Sequence, residues 1–282
     1  MIIAESPVSE QEMEGICRTA KMAHGNPRMA QRRNVPPKPH RDLSELNREL
    51  EQASDAQRAH NLAWFFKTGK GEYAEGDEFC GITVPALRKI CNRYKHLPLS
   101  SLRRLLRSRI HEHRLAALMI LATQYDTSEA ELRKKLFDFY LANTRYINNW
   151  DLVDASARAI VGEYLVSGSR KLLYKLAGSS NLWERRISII ATHAFIRRGD
   201  LDDTFAIAEL LLSDEHDLIH KAVGWMLREA GKQSELKLLA FLQTHYSEMS
   251  RTTLRYAIER IPEAQRKMIL KGEFQSPPSS SI

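Results

Sequence analysis

The sequence is poor in cysteine. It has three cysteines in 282 residues, Cys17, Cys80 and Cys91, and no two of them form a CxxC pair. An odd number without paired spacing argues against the disulfide framework of a small secreted domain and against a zinc module. We therefore expect free thiols in a reducing compartment, and a cytoplasmic location.

The sequence also lacks membrane and export segments. No apolar run approaches the ~20 residues that cross a bilayer, and the first residues show no secretory signal pattern. We expect no association with a membrane.

Common catalytic and metal-binding motifs are absent too. His111 and His113 do not form HExxH, no His/Cys cluster has zinc spacing, and no G-x-S-x-G occurs. The glycine-rich segment 68–81 lacks the GK[ST] of a P-loop. Its backbone N–H groups could bind an anion, or its glycines could only allow the tight turns of a structured connection.

What the sequence does contain is positive charge. The formal net charge is +7 and the isoelectric point about 9.3, which favours a polyanionic partner, most commonly nucleic acid. Residues 18–41 hold seven Lys or Arg and no acid, with four prolines. We predict a disordered basic arm over 1–41, which could add affinity for nucleic acid or be a dispensable leader, and a disordered tail over 274–282.

The intervening residues, 42–273, show one helical pattern after another. Connections are short, and no segment alternates with the period of a β-strand. Helices pair at a spacing of roughly 35–40 residues without a strict repeat. We predict an all-α, HEAT-like α-solenoid of antiparallel helix pairs with a concave basic face, and a monomer, because such an array needs no partner.

The most informative helix is predicted over 216–230, ending at Gly231. One of its faces is apolar, and Trp225 projects about 140° away from it. The cations of the outer face are Lys221, Arg228 and Lys232. This arrangement suits stacking on a base or sugar while cations hold phosphates. The alternative is a Trp buried against a neighbouring helix, beside solvated cations.

A second helix, predicted over 150–165, begins after Asn148 or Asn149 as its cap. Trp150 and Asp154 are four residues apart and share one flank. Asp154 lies at the edge of the apolar stripe, where a carboxylate needs a partner or a purpose. The alternative is a bond to a neighbouring Arg. Asp151 points elsewhere and favours the helix N-terminus electrostatically.

Arginines stand out in a third helix, predicted over 182–197. Trp183 aligns with the apolar stripe and is expected in the core. Arg186 borders that stripe, whereas Arg185 is more exposed. Arg186 could clamp a phosphate, or form a salt bridge with the next helix. The basic segment 101–114 could likewise contact a DNA backbone or form a solvated helix.

Together these segments resemble a known family. FFKTGKGEYAEGDEFCGITVPALRKI, NNWDLVD, NLWERR, IHKAVGWMLRE and RTTLRYAIERIP are similar to the AlkD-like DNA alkylation repair proteins, which are HEAT-like DNA glycosylases. The resemblance covers about residues 55–265 and leaves the basic arm outside. It implies excision of N3- or N7-alkylated purines from duplex DNA in a cleft lined by Trp150, Asp154, Arg186 and Trp225.

The implied chemistry suits these residues. A cationic alkylated purine leaves without protonation, so the charge to stabilise is the one that develops on the deoxyribose. Asp154 would stabilise that charge and orient water, both tryptophans would hold the sugar, and Arg186 would fix the flanking phosphate. Arg185 and the three cations near Trp225 would bind DNA. The scheme requires neither a metal nor an organic cofactor.

Two other classes of function remain open. The chain could be a non-catalytic binder of damaged or branched DNA, although such a binder gains little from Asp154 near phosphates. It could also be a protein-interaction solenoid, in which the basic charge and Trp225 are incidental. Binding to DNA that weakens steeply with salt would disfavour the second alternative.

Overall fold

The computed structural model describes residues 42–274. The predicted basic arm and, apart from Phe274, the predicted tail lie outside these residues. Within them the chain is helical and forms no β-strand, so the prediction of an all-α protein is confirmed. One isolated backbone bridge pairs Glu78 with Ile110.

We number the helices of the described residues in chain order. They are α1 (Leu43–Gln52), α2 (Ala56–Phe65), α3 (Val84–Cys91), α4 (Leu99–Leu106), α5 (His111–Asp126), α6 (Ala130–Leu141), α7 (Trp150–Ala157), α8 (Glu163–Leu165), α9 (Lys171–Ala177), α10 (Leu182–Ala191), α11 (His193–Ile196), α12 (Asp202–Leu210), α13 (Asp217–Gln233), α14 (Glu235–Thr244), α15 (Arg251–Ala257) and α16 (Glu263–Ile269). A 3-10 turn covers Thr144–Tyr146, and a π-helical turn covers Arg158–Gly162.

The chain divides into two compact units. The described part of the first unit comprises 42–129 and Arg145–Ala155. The second comprises Ala130–Thr144 and 156–274, so the division falls within α7. The HEAT-like solenoid with a concave basic face stays a prediction.

The first unit is built around α5. Helices α3 and α4 pack against it, and α1 packs against α3. Helix α3 begins at a favourable sequence, because the Thr83 hydroxyl accepts a hydrogen bond from the Ala86 N–H and Pro85 occupies the first turn. The core side chains of α5 are Leu115, Leu118, Ile120 and Leu121. Burying these residues fixes the position of the N-terminus of α5, where His111 and Glu112 lie.

The second unit is built around α13, which packs against α10, α14 and α15. The apolar face predicted for this helix is buried and consists of Ile219, Val223, Met226, Leu227 and Ala230. The prediction of a core face is therefore confirmed. The expected burial of Trp183 in α10 is also confirmed.

The predicted end of the Trp225 helix is wrong. Helix α13 continues through Gly231 to Gln233. A β-carbon at Gly231 would lie 2.4 Å from Leu238 Cδ2, so this glycine allows close packing against α14. The end comes at Ser234, whose extended backbone leaves the helix and whose hydroxyl accepts a hydrogen bond from the Lys237 N–H at the start of α14.

The single helix predicted over 150–165 is interrupted by the π-helical turn between α7 and α8. Gly162 ends that turn, and a β-carbon there would lie 2.3 Å from the Ala191 carbonyl oxygen. The close approach to α10 therefore coincides with the wider π-helical turn.

The sequence predicts individual helices only between residues 58 and 260, so α1 and α16 fall outside them. Helix α1 buries Leu43, Leu46 and Leu50 and is capped by Asp42, so its signal was a regular apolar spacing. Among residues 42–274 we find no helix that combines the length and apolar character needed to cross a membrane.

Candidate active site

Trp150 begins α7 and stacks on aromatic residues of the first unit. Its backbone N–H donates a 2.8 Å hydrogen bond to Asn149 Oδ1. Its ring lies nearly parallel to that of Phe66, with centroids 5.2 Å apart and planes at 14°. Phe65 meets it edge-on at 6.2 Å. The residue is half-buried, so Trp150 is supported by its neighbours and still partly accessible.

Asp154 lies one turn further along α7 and is only 8% exposed. This burial agrees with its predicted position at the edge of the apolar stripe. Because a low local dielectric strengthens electrostatic interactions, a carboxylate in such a position acts strongly on a nearby positive charge. Trp150 and Asp154 are thus a half-buried ring and a buried acid on one helix.

A buried ionic cluster lies at the start of the same helix. Asp151 Oδ2 lies 2.7 Å from His111 Nε2, and Arg114 Nη2 donates a 2.6 Å hydrogen bond to Asp77 Oδ2. Burial alone would lower the pKa of His111, but the Asp151 carboxylate raises that pKa to about 9. Burial alone would raise the pKa of Asp77, but His111 and Arg114 hold it below its usual value. His111 is therefore protonated and Asp77 ionised at neutral pH.

Sequence reasoning missed this cluster. Asp151 Oδ1 does accept a hydrogen bond from the Leu152 N–H in the first turn of α7, but the other oxygen binds His111. The segment 101–114 offered a signal, since His111 and Arg114 are three residues apart and share a helix face. Both are buried, whereas Arg103, Arg104 and Arg107 are exposed.

The second unit holds the arginines of α10. Arg186 is buried, 4% exposed, and its Nη1 donates a hydrogen bond to the Leu218 carbonyl of α13. Arg185 is half-buried, and its Nε donates a 2.5 Å hydrogen bond to Asp214 Oδ2. The predicted difference in exposure between the two arginines is confirmed, and both guanidinium groups are fixed by hydrogen bonds.

Trp225 is half-buried on α13. Its ring centroid lies 6.2 Å from that of His193, with planes at 60°. Burial lowers the pKa of His193 to about 4, so this neighbour is neutral at neutral pH. The preceding Gly224 allows α13 to approach α15, because a β-carbon there would lie 2.6 Å from the Thr253 carbonyl oxygen.

The other predicted DNA-binding cations have acidic neighbours. Lys221 pairs with Asp217 at 2.9 Å and Lys232 with Glu229 at 2.6 Å, and both lysines are more than 40% exposed. Arg228 is nearly buried and pairs with Glu259. The two lysines therefore present charge at the surface, whereas Arg228 joins α13 to the segment that follows α15.

The glycine-rich segment is a structured loop that binds an anion of the protein itself. Gly71, Gly76 and Gly81 have φ near +80°, a conformation that favours glycine. At the end of the loop, three N–H groups point at Glu112, those of Cys80, Gly81 and Ile82. Both sequence alternatives therefore apply here, tight turns and anion binding.

The two described cysteines are free, as predicted, and Cys17 lies outside the described residues. Burial, with the Glu112 charge, raises the pKa of the Cys80 thiol to about 12. Burial raises the pKa of the Cys91 thiol to about 12 as well. Within residues 42–274 no group of three His, Cys, Asp or Glu side chains is placed to hold a metal ion.

Comparison with known proteins assigns the chain to a family. The family model for the DNA alkylation repair enzyme matches residues 46–261. This chain belongs to the DNA alkylation repair enzyme family. Membership supports a role in DNA repair, and the matched region contains every residue predicted for the site.

A solved structure from Enterococcus faecalis is similar in fold to this member of the family. It is described as a predicted DNA alkylation repair enzyme and aligns with a TM-score of 0.58 at 16% sequence identity. The alignment covers 74% of this chain and 97% of that chain. At this identity the likeness concerns the fold. A comparison with curated proteins gives no match.

Proposed function

We propose that this family member is a DNA glycosylase that removes cationic N3- or N7-alkylated purines from duplex DNA. One observation carries the proposal, the buried carboxylate of Asp154 one helical turn from the half-buried ring of Trp150. A protein that only grips phosphates gains nothing from a buried acid beside its ligand. An enzyme that stabilises a cationic sugar, in contrast, uses such an acid to stabilise the developing positive charge.

The reaction needs little from the protein beyond the negative charge of Asp154. Water forms a bond to C1′ of the deoxyribose as the bond from C1′ to the purine nitrogen breaks. The bonding electron pair leaves with the base and neutralises its positive charge, and the water loses one proton. Asp154 stabilises the oxocarbenium-like sugar and orients the water. No group has to protonate the leaving base, because the alkylated purine is already a cation.

The remaining residues have roles that follow from the resemblance for the cleft and from charge for the surrounding cations. Trp150 and Trp225 hold the sugar and favour its positive charge through their ring faces. Arg186 fixes a phosphate beside the damaged nucleotide, and its buried hydrogen bond to α13 would hold the guanidinium in place. Lys221 and Lys232 bind the DNA backbone from the surface. Arg185 and Arg228, which pair with Asp214 and Glu259, stay predicted DNA-binding residues. Monomeric state and cytoplasmic location stay predictions.

The experiment compares base release by wild type and Asp154→Asn. Duplex DNA is treated with a methylating agent, and released 7-methylguanine and 3-methyladenine are measured under single-turnover conditions. We expect wild type to release at least one of them and Asp154→Asn to be slower by about 100-fold or more, as when a transition-state charge loses its stabilising group. The dissociation constant for undamaged DNA should be unchanged.

A matched control is Asp202→Asn, since Asp202 is an exposed aspartate at the start of α12. It should retain wild-type release, and circular dichroism should show the same helix content in all three proteins. If wild type binds DNA but releases no methylated base, the glycosylase proposal is wrong and the non-catalytic binder takes its place. Equal release by wild type and Asp154→Asn would remove Asp154 from the mechanism.

A further inference from the structure

The buried ionic cluster of Asp77, His111, Arg114 and Asp151 has no role in the proposed chemistry, yet it lies behind Trp150. The His111 side chain is 2% exposed and those of Asp77 and Arg114 are 5% exposed. They form hydrogen bonds to Asp151, to one another and to backbone carbonyls, so the cluster is enclosed within the first unit. Two chains of contacts lead from the cluster to Trp150, one through hydrogen bonds and one through rings.

The hydrogen-bond chain passes through Asn149. Arg114 holds Asp77 at 2.6 Å, and Asn149 Nδ2 donates a 3.4 Å hydrogen bond to the same Asp77 oxygen. The Oδ1 atom of the same Asn149 side chain accepts the hydrogen bond from the Trp150 backbone N–H. Asp151, the next residue of α7, is held by His111. The first turn of α7 is therefore tied to α5 and to the loop at Asp77.

The ring chain passes through Phe66. The His111 imidazole stacks on Phe79, with centroids 4.7 Å apart, and lies 5.0 Å from Phe66. The Phe66 ring in turn stacks on Trp150. Because Phe66 is only 6% exposed, it cannot move away from either neighbour without opening a cavity. The orientation of the Trp150 ring thus depends, through Phe66, on the position of the His111 ring.

We infer that His111, Asp151 and Phe66 are positioning residues that fix the Trp150 ring for the proposed reaction. The inference rests on the proposed function for its kinetic part. It explains why the first unit keeps a costly cluster in its interior, where apolar residues of similar volume would stabilise the fold equally well. Arg114 Nε even lacks a hydrogen-bond partner among the described residues. What the charges provide is one defined geometry.

The first test observes Trp150 directly. The full chain is labelled with 5-fluorotryptophan. The fluorine resonance of Trp150 is assigned as the one that the Trp150→Phe variant lacks. Phe66→Leu removes the ring between His111 and Trp150, and Asp151→Asn removes the charge opposite His111. We expect each to shift or broaden the Trp150 resonance and to leave that of Trp183 in place.

The matched control is Phe137→Leu. Phe137 is buried and stacked on Tyr164 in the second unit, at 4.0 Å and 18°, so its loss should cost a similar amount of stability. We expect it to leave the Trp150 resonance unchanged. If Phe66→Leu does not fold, Phe66→Met, which retains an unbranched apolar chain, takes its place.

The second test separates binding from chemistry. Phe66→Leu should slow single-turnover base release by about tenfold, or about 1.4 kcal/mol of transition-state stabilisation, with an unchanged dissociation constant for lesion DNA. Phe137→Leu should keep the wild-type rate. Unchanged fluorine resonances in both Phe66→Leu and Asp151→Asn would overturn the inference. If the variants shift the Trp150 resonance but the wild type releases no base, the proposed function alone is overturned.

Discussion

The carboxylate of Glu112 holds the end of the glycine-rich loop, with Glu112 Oε1 accepting a 2.7 Å hydrogen bond from the Gly81 N–H. The N–H groups of Cys80 and Ile82 point at the same carboxylate. Gly81 has φ +82°, and a β-carbon there would lie 2.1 Å from the Asp55 carbonyl oxygen. One buried acid at the start of α5 therefore organises a turn that only glycine can form.

Replacing Glu112 with Ala should strongly destabilise the protein. The buried N–H groups of Gly81 and Ile82 and the half-buried N–H group of Cys80 would lose their acceptor, and each unsatisfied buried donor costs about 1–3 kcal/mol. We expect the free energy of unfolding in urea to fall by roughly 3 kcal/mol or more. Glu131→Ala, which removes an exposed partner of Lys135, serves as the control and should change little. A small effect at Glu112 would mean that water replaces the carboxylate.

Stability should fall with rising pH between about 6.5 and about 9. The pKa of His111 is raised to about 9 in the folded protein, above its ordinary value of about 6.5. The folded state therefore retains a proton that the unfolded state loses, and the stabilisation present below pH 6.5 disappears as pH passes through 9. Asp151, Asp77 and Arg114 are the charged groups around this ring.

Urea unfolding at several pH values checks this dependence. The expected fall over that window is on the order of 3 kcal/mol. His111→Gln should lack it, whereas His96→Gln, at an exposed position, should retain it. A flat wild-type profile would show that His111 is neutral in the folded protein.

Gly224→Ala should destabilise the second unit. The new β-carbon would lie 2.5 Å from Tyr256 Cβ and 2.6 Å from the Thr253 carbonyl oxygen, so α13 and α15 would have to separate. We expect a loss of about 1–3 kcal/mol in thermal or urea unfolding, despite the better helix propensity of Ala. Gly168→Ala meets only the Tyr164 oxygen at 3.8 Å and should be tolerated. Equal stability of the two variants would contradict the close packing.

Lys221→Gln and Lys232→Gln should each weaken binding to duplex DNA without regard to sequence. Each should reduce the slope of log affinity against log salt by about 1, because one fewer counterion is released. Lys134→Gln is the control, since Lys134 forms a similar exposed i,i+4 pair with Asp138 on α6. Fluorescence anisotropy at several salt concentrations measures the slopes. Identical slopes for all three variants would remove Lys221 and Lys232 from the DNA-binding surface.

The apolar periodicity of the sequence was enough to predict most helices of residues 42–274, but neither α1 nor α16. The face containing Val223 and Met226 is buried as its spacing predicts, since helix period and core burial are both local properties. The end of α13 was mispredicted because Gly231 serves packing against Leu238, a contact that no local pattern reveals.

In the candidate site, too, local spacing was predictable and contacts between distant residues were not. The spacing of Trp150 and Asp154 predicts that they share one helix flank, and both lie on α7, half-buried and buried. Their place in a catalytic site comes from the family resemblance and stays a prediction. The partners of Asp151 were not predicted, because His111 lies 40 residues earlier in the chain. Long-range pairing depends on how helices pack, and one sequence carries no direct record of it.

The two described thiols have a chemical consequence for the protein itself. Electrophiles that alkylate purines also alkylate thiolates, and a thiol with a pKa near 12 forms almost no thiolate at neutral pH. Cys80 and Cys91 are therefore poor targets for the very reagents that create alkylated DNA. Both cysteines should stay largely unmodified at doses of a methylating agent that alkylate DNA.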